Sequence, residues 1–121
     1  MQKDCRTAYV VIGNEIDIKF MYKALLQLVR NKKTNLQYVA SIFCPQWINY
    51  TSSGHFCELA KSNSRQIVFT VITGKEPEPD IWAEICRKYQ STKYYYCSEL
   101  VQSGHYRTND QSGRYFPRII E

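Results

Sequence analysis

The chain has no run of about 18 consecutive apolar residues, the length a helix needs to cross a bilayer. Its opening, Met1-Gln2-Lys3-Asp4-Cys5-Arg6, lacks the apolar segment of a signal peptide. The expectation is a protein made and kept in a cytoplasm. The five cysteines, Cys5, Cys44, Cys57, Cys86 and Cys97, are odd in number, widely spaced and without a Cys-x-x-Cys pair, which argues against a disulfide framework and a zinc knuckle. Reduced thiols, some of them small core residues, are expected instead. The five glycines, Gly13, Gly54, Gly74, Gly104 and Gly113, stand singly, so no Walker or dinucleotide loop can be built. Basic residues never run to five, with doublets only at Lys32-Lys33 and Arg87-Lys88, and a basic arm is excluded.

What is present is ordinary for a globular protein. Of 121 residues, 44% are hydrophobic and 22% charged, which suits a single domain over residues 1–121 with its own core. A chain of this length buries about two thirds of its unfolded surface, so composition demands no metal, disulfide or other cofactor. Sixteen Lys and Arg against 11 Asp and Glu leave a charge of +5, which permits attraction to phosphate or to an acidic protein face without choosing between them.

The order of elements is legible. Thr7 to Gly13 is a β-branched and aromatic run closed by glycine, a first strand. From Asn14 to Arg30, Ile16, Phe20, Met21, Ala24, Leu25, Leu28 and Val29 recur at three- and four-residue steps, predicting an amphipathic helix. Asn14 can cap it, with Asp17 in the capping-box position. Residues 31–45 read as mixed strand and helix. Trp47 to Tyr50 and Phe56 to Leu59 flank Gly54 as a bent strand or a hairpin. Gln66 to Thr73 is apolar on both faces and predicts the central strand of the sheet. Pro79 then opens a short helix with Ile81, Trp82, Ile85, Cys86 and Tyr89 on one stripe. Lys93 to Glu99 reads as a strand, and Tyr106-Arg107-Thr108 pairs with Arg114-Tyr115-Phe116 as a C-terminal hairpin. Strand, helix, strands, interior strand, helix, strand is the split βαβ order of a ferredoxin-like α+β sandwich: an antiparallel sheet with two helices on one face. Its other face is then open, or covered by the irregular middle segment.

The second half carries a further pattern. Phe69-Thr70 in a strand, a Pro-containing loop, Ile81-Trp82 opening a helix that ends at Lys88-Tyr89, a Tyr-rich strand, and Thr108-Asn109-Asp110 followed by Gly113 and Tyr115-Phe116 resemble the Api92-like family. These are small ferredoxin-like proteins of phages, plasmids and their bacterial hosts. The resemblance spans about Gln66 to Pro117 and implies that fold and a mobile-element setting. It implies no catalytic residues.

Candidate chemistry is sparse. His55, Cys57, Cys97 and His105 are soft ligands of the kind zinc takes, but their spacing fits no finger or knuckle. A two-histidine phosphoesterase needs a hydroxyl residue two positions after each histidine, and here those positions hold Cys57 and Arg107. Tyrosine is the stronger signal. It supplies 10 residues, five of them at Tyr94-Tyr95-Tyr96, Tyr106 and Tyr115, with Arg107, Arg114 and Arg118 beside these. Alternation sends Tyr94 and Tyr96 to one sheet face and Tyr95 to the other. Tyrosine and arginine anchor interfaces, so Tyr94, Tyr96, Tyr106, Arg107, Arg114, Tyr115 and Arg118 are the expected binding residues. The expected function is that of a small non-enzymatic interaction protein of phage or mobile-element origin that occupies a host protein, a defence system included. The alternative is a nucleic-acid-binding domain using a basic, tyrosine-rich sheet.

Overall fold

In the computed structural model, which describes residues 5–74, 76–100 and 105–116, helices and strands are mixed in an α+β arrangement. Strand β1 (Cys5–Ile12) leads into α1 (Glu15–Arg30) and α2 (Leu36–Phe43). Then come β2 (His55–Asn63), β3 (Gln66–Thr73), α3 (Asp80–Lys88), β4 (Lys93–Leu100) and β5 (His105–Thr108). The strands form one five-stranded sheet in the order β2-β3-β1-β4-β5, every neighbouring pair antiparallel. No helix among the described residues is long and apolar enough to cross a membrane.

Local chemistry explains the helix starts. The Asn14 side chain accepts the Asp17 N–H at 2.8 Å, satisfying a donor that the first turn of α1 leaves unpaired. Asn35 does the same for α2 through the Gln37 N–H at 2.7 Å. The segment read as mixed is therefore helical over residues 36–43, because Leu36, Val39, Ala40 and Phe43 repeat at helical steps and are all buried. In α3 the Pro79 carbonyl accepts the Trp82 N–H at 3.0 Å, so proline sits where its missing N–H costs nothing.

Buried residues of all three helices join one core with Tyr9 and Val11 of β1, Ile67, Phe69 and Val71 of β3, Phe56 and Tyr96. Tyr9 is at its centre, stacked on Phe69 at 5.2 Å and tilted against Trp82 at 5.6 Å and Tyr96 at 5.8 Å. The middle segment thus lies on the helix side and does not cover the other sheet face.

Four expectations need correction. On α1 Met21, Leu25 and Leu28 are buried as expected and Ile18 joins them, whereas Ile16, Phe20 and Val29 are exposed, the first two at 66% and 61%. All of these positions have helical spacing, and only the direction of the sheet decides where the buried stripe ends. Trp47 to Tyr50 is not a strand; successive turns close at Trp47 and Tyr50, whose rings meet at 5.3 Å. The C-terminal hairpin is not formed as read: β5 pairs with β4, and residues 114–116 fold back onto Asp110. β3 lies inside the sheet but is not its central strand: β1, paired with both β3 and β4, is the middle strand of the five.

Candidate functional site

The sheet face away from the helices carries the even-numbered residues of β1 and β3. Arg6, Ala8, Val10 and Ile12 stand opposite Ile72, Thr70, Val68 and Gln66. On the other side of β1, Ala8, Val10 and Ile12 stand opposite Cys97, Tyr95 and Lys93. One row, Cys57, Thr70, Ala8, Cys97 and Thr108, crosses all five strands. Its middle is aliphatic and thiol-bearing: Ala8 is exposed, while Val68, Ile72, Tyr95, Cys57 and Cys97 are half-buried.

The rim is charged, and a backbone irregularity shapes it. The β2–β3 register slips between Cys57 and Ala60, and Glu58 adopts φ 55°, a left-handed conformation rare outside glycine. This bulge brings Glu58 to the same side as Cys57. There its carboxylate accepts the Thr70 hydroxyl at 3.0 Å and the Arg6 guanidinium at 3.3 Å. The ion pair is solvent-exposed and contributes little to stability.

The far edge is ordered by a buried carboxylate. Asp110, 2% exposed, accepts the N–H groups of Tyr115 at 2.9 Å and Phe116 at 2.8 Å, and the Ser112 hydroxyl at 3.3 Å. Burial pushes its pKa up, but the Phe116 and Tyr115 N–H groups, the Ser112 hydroxyl and the Arg114 N–H outweigh it and hold the carboxyl below its usual range. Asn109 extends the ladder past β5 with its side chain, accepting the Tyr96 N–H at 2.8 Å and donating to the Tyr94 carbonyl at 3.0 Å. The result is a fixed Tyr115, stacked on Tyr95 at 4.7 Å with the Arg114 guanidinium 5.6 Å from its ring centre.

The expected binding residues are therefore divided between faces. Tyr96 is 8% exposed and packs on Tyr9, and Tyr94 stacks on Tyr96 at 6.3 Å, so both belong to the helix side. Arg107 pairs with Ser98, a fully buried helix-side position, and lines a cavity with Glu76, Glu78 and Asp80 instead of joining Arg114. The Tyr106 side chain and Arg118 lie outside the described residues. Arg114 and Tyr115 remain, together with Tyr95. Alternation had already separated Tyr95 from its neighbours; the missing information was which face the helices take.

The thiols on this face are poorly suited to nucleophilic work. Burial pushes the Cys57 thiol up, with Glu58 adding to it and Arg6 opposing it, and burial then Asp110 push up Cys97. His55 stands at the exposed edge of the same face as Cys57. Among the described residues no three His, Cys, Asp or Glu side chains gather as a metal site requires. Compared with protein-family models, curated proteins and solved structures, the chain gives no match.

Proposed function

We propose that this chain is a non-enzymatic interaction protein of ferredoxin-like fold, and that the sheet face opposite its helices is where a partner protein docks. The fold assignment is supported by the order β2-β3-β1-β4, in which β1 and β2, joined by helices, flank an antiparallel β3. The docking assignment rests on one observation: an aliphatic and thiol-bearing centre surrounded by Arg6, Glu58, Lys93 and Arg114, the apolar core and polar rim of a protein interface.

Protein is favoured over single-stranded nucleic acid by what the inner strands carry. A base-stacking sheet places rings on its central strands, whereas here those positions hold Ala8, Val10, Val68 and Thr70. Tyr95, on β4, already stacks on Tyr115.

The test is capture from cell lysate, with and without nuclease, by the native chain and by Ala8→Glu and Val68→Lys. Both substitutions put charge at the apolar centre and leave the core untouched. The expected result is a defined protein that survives nuclease and is lost by both variants. Equal capture by the variants, or capture abolished by nuclease, overturns the reading.

A further inference from the structure

At one end of the sheet, clear of its aliphatic centre, lies a cleft of about 520 Å³. Three separate segments supply its cations: Arg65 from the β2–β3 turn, Lys93 from the start of β4 and Arg114 from the loop after β5. Asn63, Gln66 and Ser91 add amide and hydroxyl groups, and no carboxylate among the described residues lines it. Among the described residues none of the three cations has an ion-pair partner, whereas Arg6 and Arg87 do.

The floor of the cleft is closely packed and hydrogen-bonded. Gly13 lies so close to the α3–β4 loop that a Cβ there would stand 2.8 Å from Thr92 Cγ2. Its N–H donates to the Arg65 carbonyl at 3.0 Å, tying the β2–β3 turn to the end of β1. The Asn14 N–H donates to the Ser91 hydroxyl at 3.1 Å, and that hydroxyl donates to Asp17 at 2.6 Å. The carboxylates beside the cleft each accept a hydroxyl rather than a cleft cation: Asp17 that of Ser91, which lines the cleft, and Glu15 that of Ser64 at 3.3 Å.

We infer that this cleft binds a compact oligophosphate, free or carried on a small molecule. Three cations without an ion-pair partner among the described residues border one cleft, and an anion of matching charge seated there is attracted by all of them. A single carboxylate brings one charge and leaves two cations unmet, while a phosphate chain offers several charges over a short span and accepts the guanidinium forks of Arg65 and Arg114. An extended nucleic-acid backbone needs a track of cations, but the charges gather at one end and Arg6, further along the face, is already paired with Glu58. The cleft shares Lys93 and Arg114 with the rim of the docking face, but the inference does not rest on what docks on the aliphatic centre.

Titration calorimetry of the full chain with sodium tripolyphosphate, and separately with ATP, tests it. Saturable binding at one site is expected, weakened about tenfold or more by each of Arg65→Gln, Lys93→Gln and Arg114→Gln. Arg87→Gln, which removes an exposed cation from α3, is expected to leave binding unchanged. Ala8→Glu is also expected to leave it unchanged, which separates this site from the docking face. Tighter binding of ATP identifies a nucleoside carrier, and equal binding identifies the phosphate chain alone. The inference is overturned if tripolyphosphate fails to bind at low salt, or if Arg87→Gln weakens it as much as the cleft variants. It is equally overturned if a glutamate-rich peptide or an oligonucleotide of equal charge binds as tightly.

Discussion

Tyr9→Phe is expected to stabilise the protein, although Tyr9 occupies the centre of its core. The ring stacks on Phe69 and is only 1% exposed, yet its hydroxyl has no hydrogen-bond partner among the described residues. Burial, reinforced by the nearby Tyr96 and Tyr94 hydroxyls, pushes its pKa far up, so the group stays neutral. A buried hydroxyl without a partner costs about 1–3 kcal/mol relative to its place in water. Phenylalanine keeps every ring contact and removes that cost. The vacated space is roughly 12 Å³, which at about 24 cal/mol per Å³ returns only about 0.3 kcal/mol. A net gain of about 1–2.5 kcal/mol follows from these terms. With an unfolding entropy of about 2.1 cal/mol/K per residue over 121 residues, Tm should rise by about 4–10 °C. Thermal and urea unfolding monitored by circular dichroism measure it. A fall in Tm of more than about 4 °C would refute the reasoning by showing that the hydroxyl is held by an enclosed water, one candidate companion being the equally unpartnered Trp82 Nε1.

Leu25→Asp or Leu28→Asp should unfold the domain, since an unpaired buried carboxylate costs several kcal/mol against a total of about 5–15, whereas Phe20→Asp should fold normally; soluble, folded Leu25→Asp protein refutes the assignment of the α1 face. Asp110 has a lowered folded pKa, so its contribution is complete above the unfolded value of about 3.9 and is lost as the pH falls through the lower folded value. Urea unfolding between about pH 2 and pH 7 should therefore show an acid-side loss that Asp110→Asn flattens, and an unchanged slope in the variant counts against the carboxylate's role. Gly13→Ala should lower stability by about 1–3 kcal/mol through overpacking against Thr92, itself buried and bonded to the Tyr89 carbonyl at 2.6 Å; an unchanged Tm would show that the loop yields.

Sequence alone determined the elements whose causes are local. Asn14 and its distance from Asp17 placed the start of α1, Pro79 placed that of α3, and the two-sided apolar run of Gln66 to Thr73 made β3 an interior strand. These signals work because a cap, a proline and a side-chain period act within a few residues of themselves. The helical step and the centre of the buried stripe of α1, Met21, Leu25 and Leu28, were legible, but its edges were not. Ile16, Phe20 and Ile18 all fit the helical step, and only packing against the sheet buries Ile18 and leaves the other two exposed. The same holds for tyrosine: alternation separates Tyr95 from Tyr94 and Tyr96, yet which group goes under the helices depends on β4 pairing with β1, whose Tyr9 faces them. The candidate sites are more distant still from sequence. Arg65, Lys93 and Arg114 are far apart along the chain, and they line one cleft because Gly13 and Ser91 tie the β1–α1, β2–β3 and α3–β4 turns together while Asp110 holds the segment next to Arg114. Tertiary structure alone decided this, since long-range pairing brings together charges that no local spacing encodes.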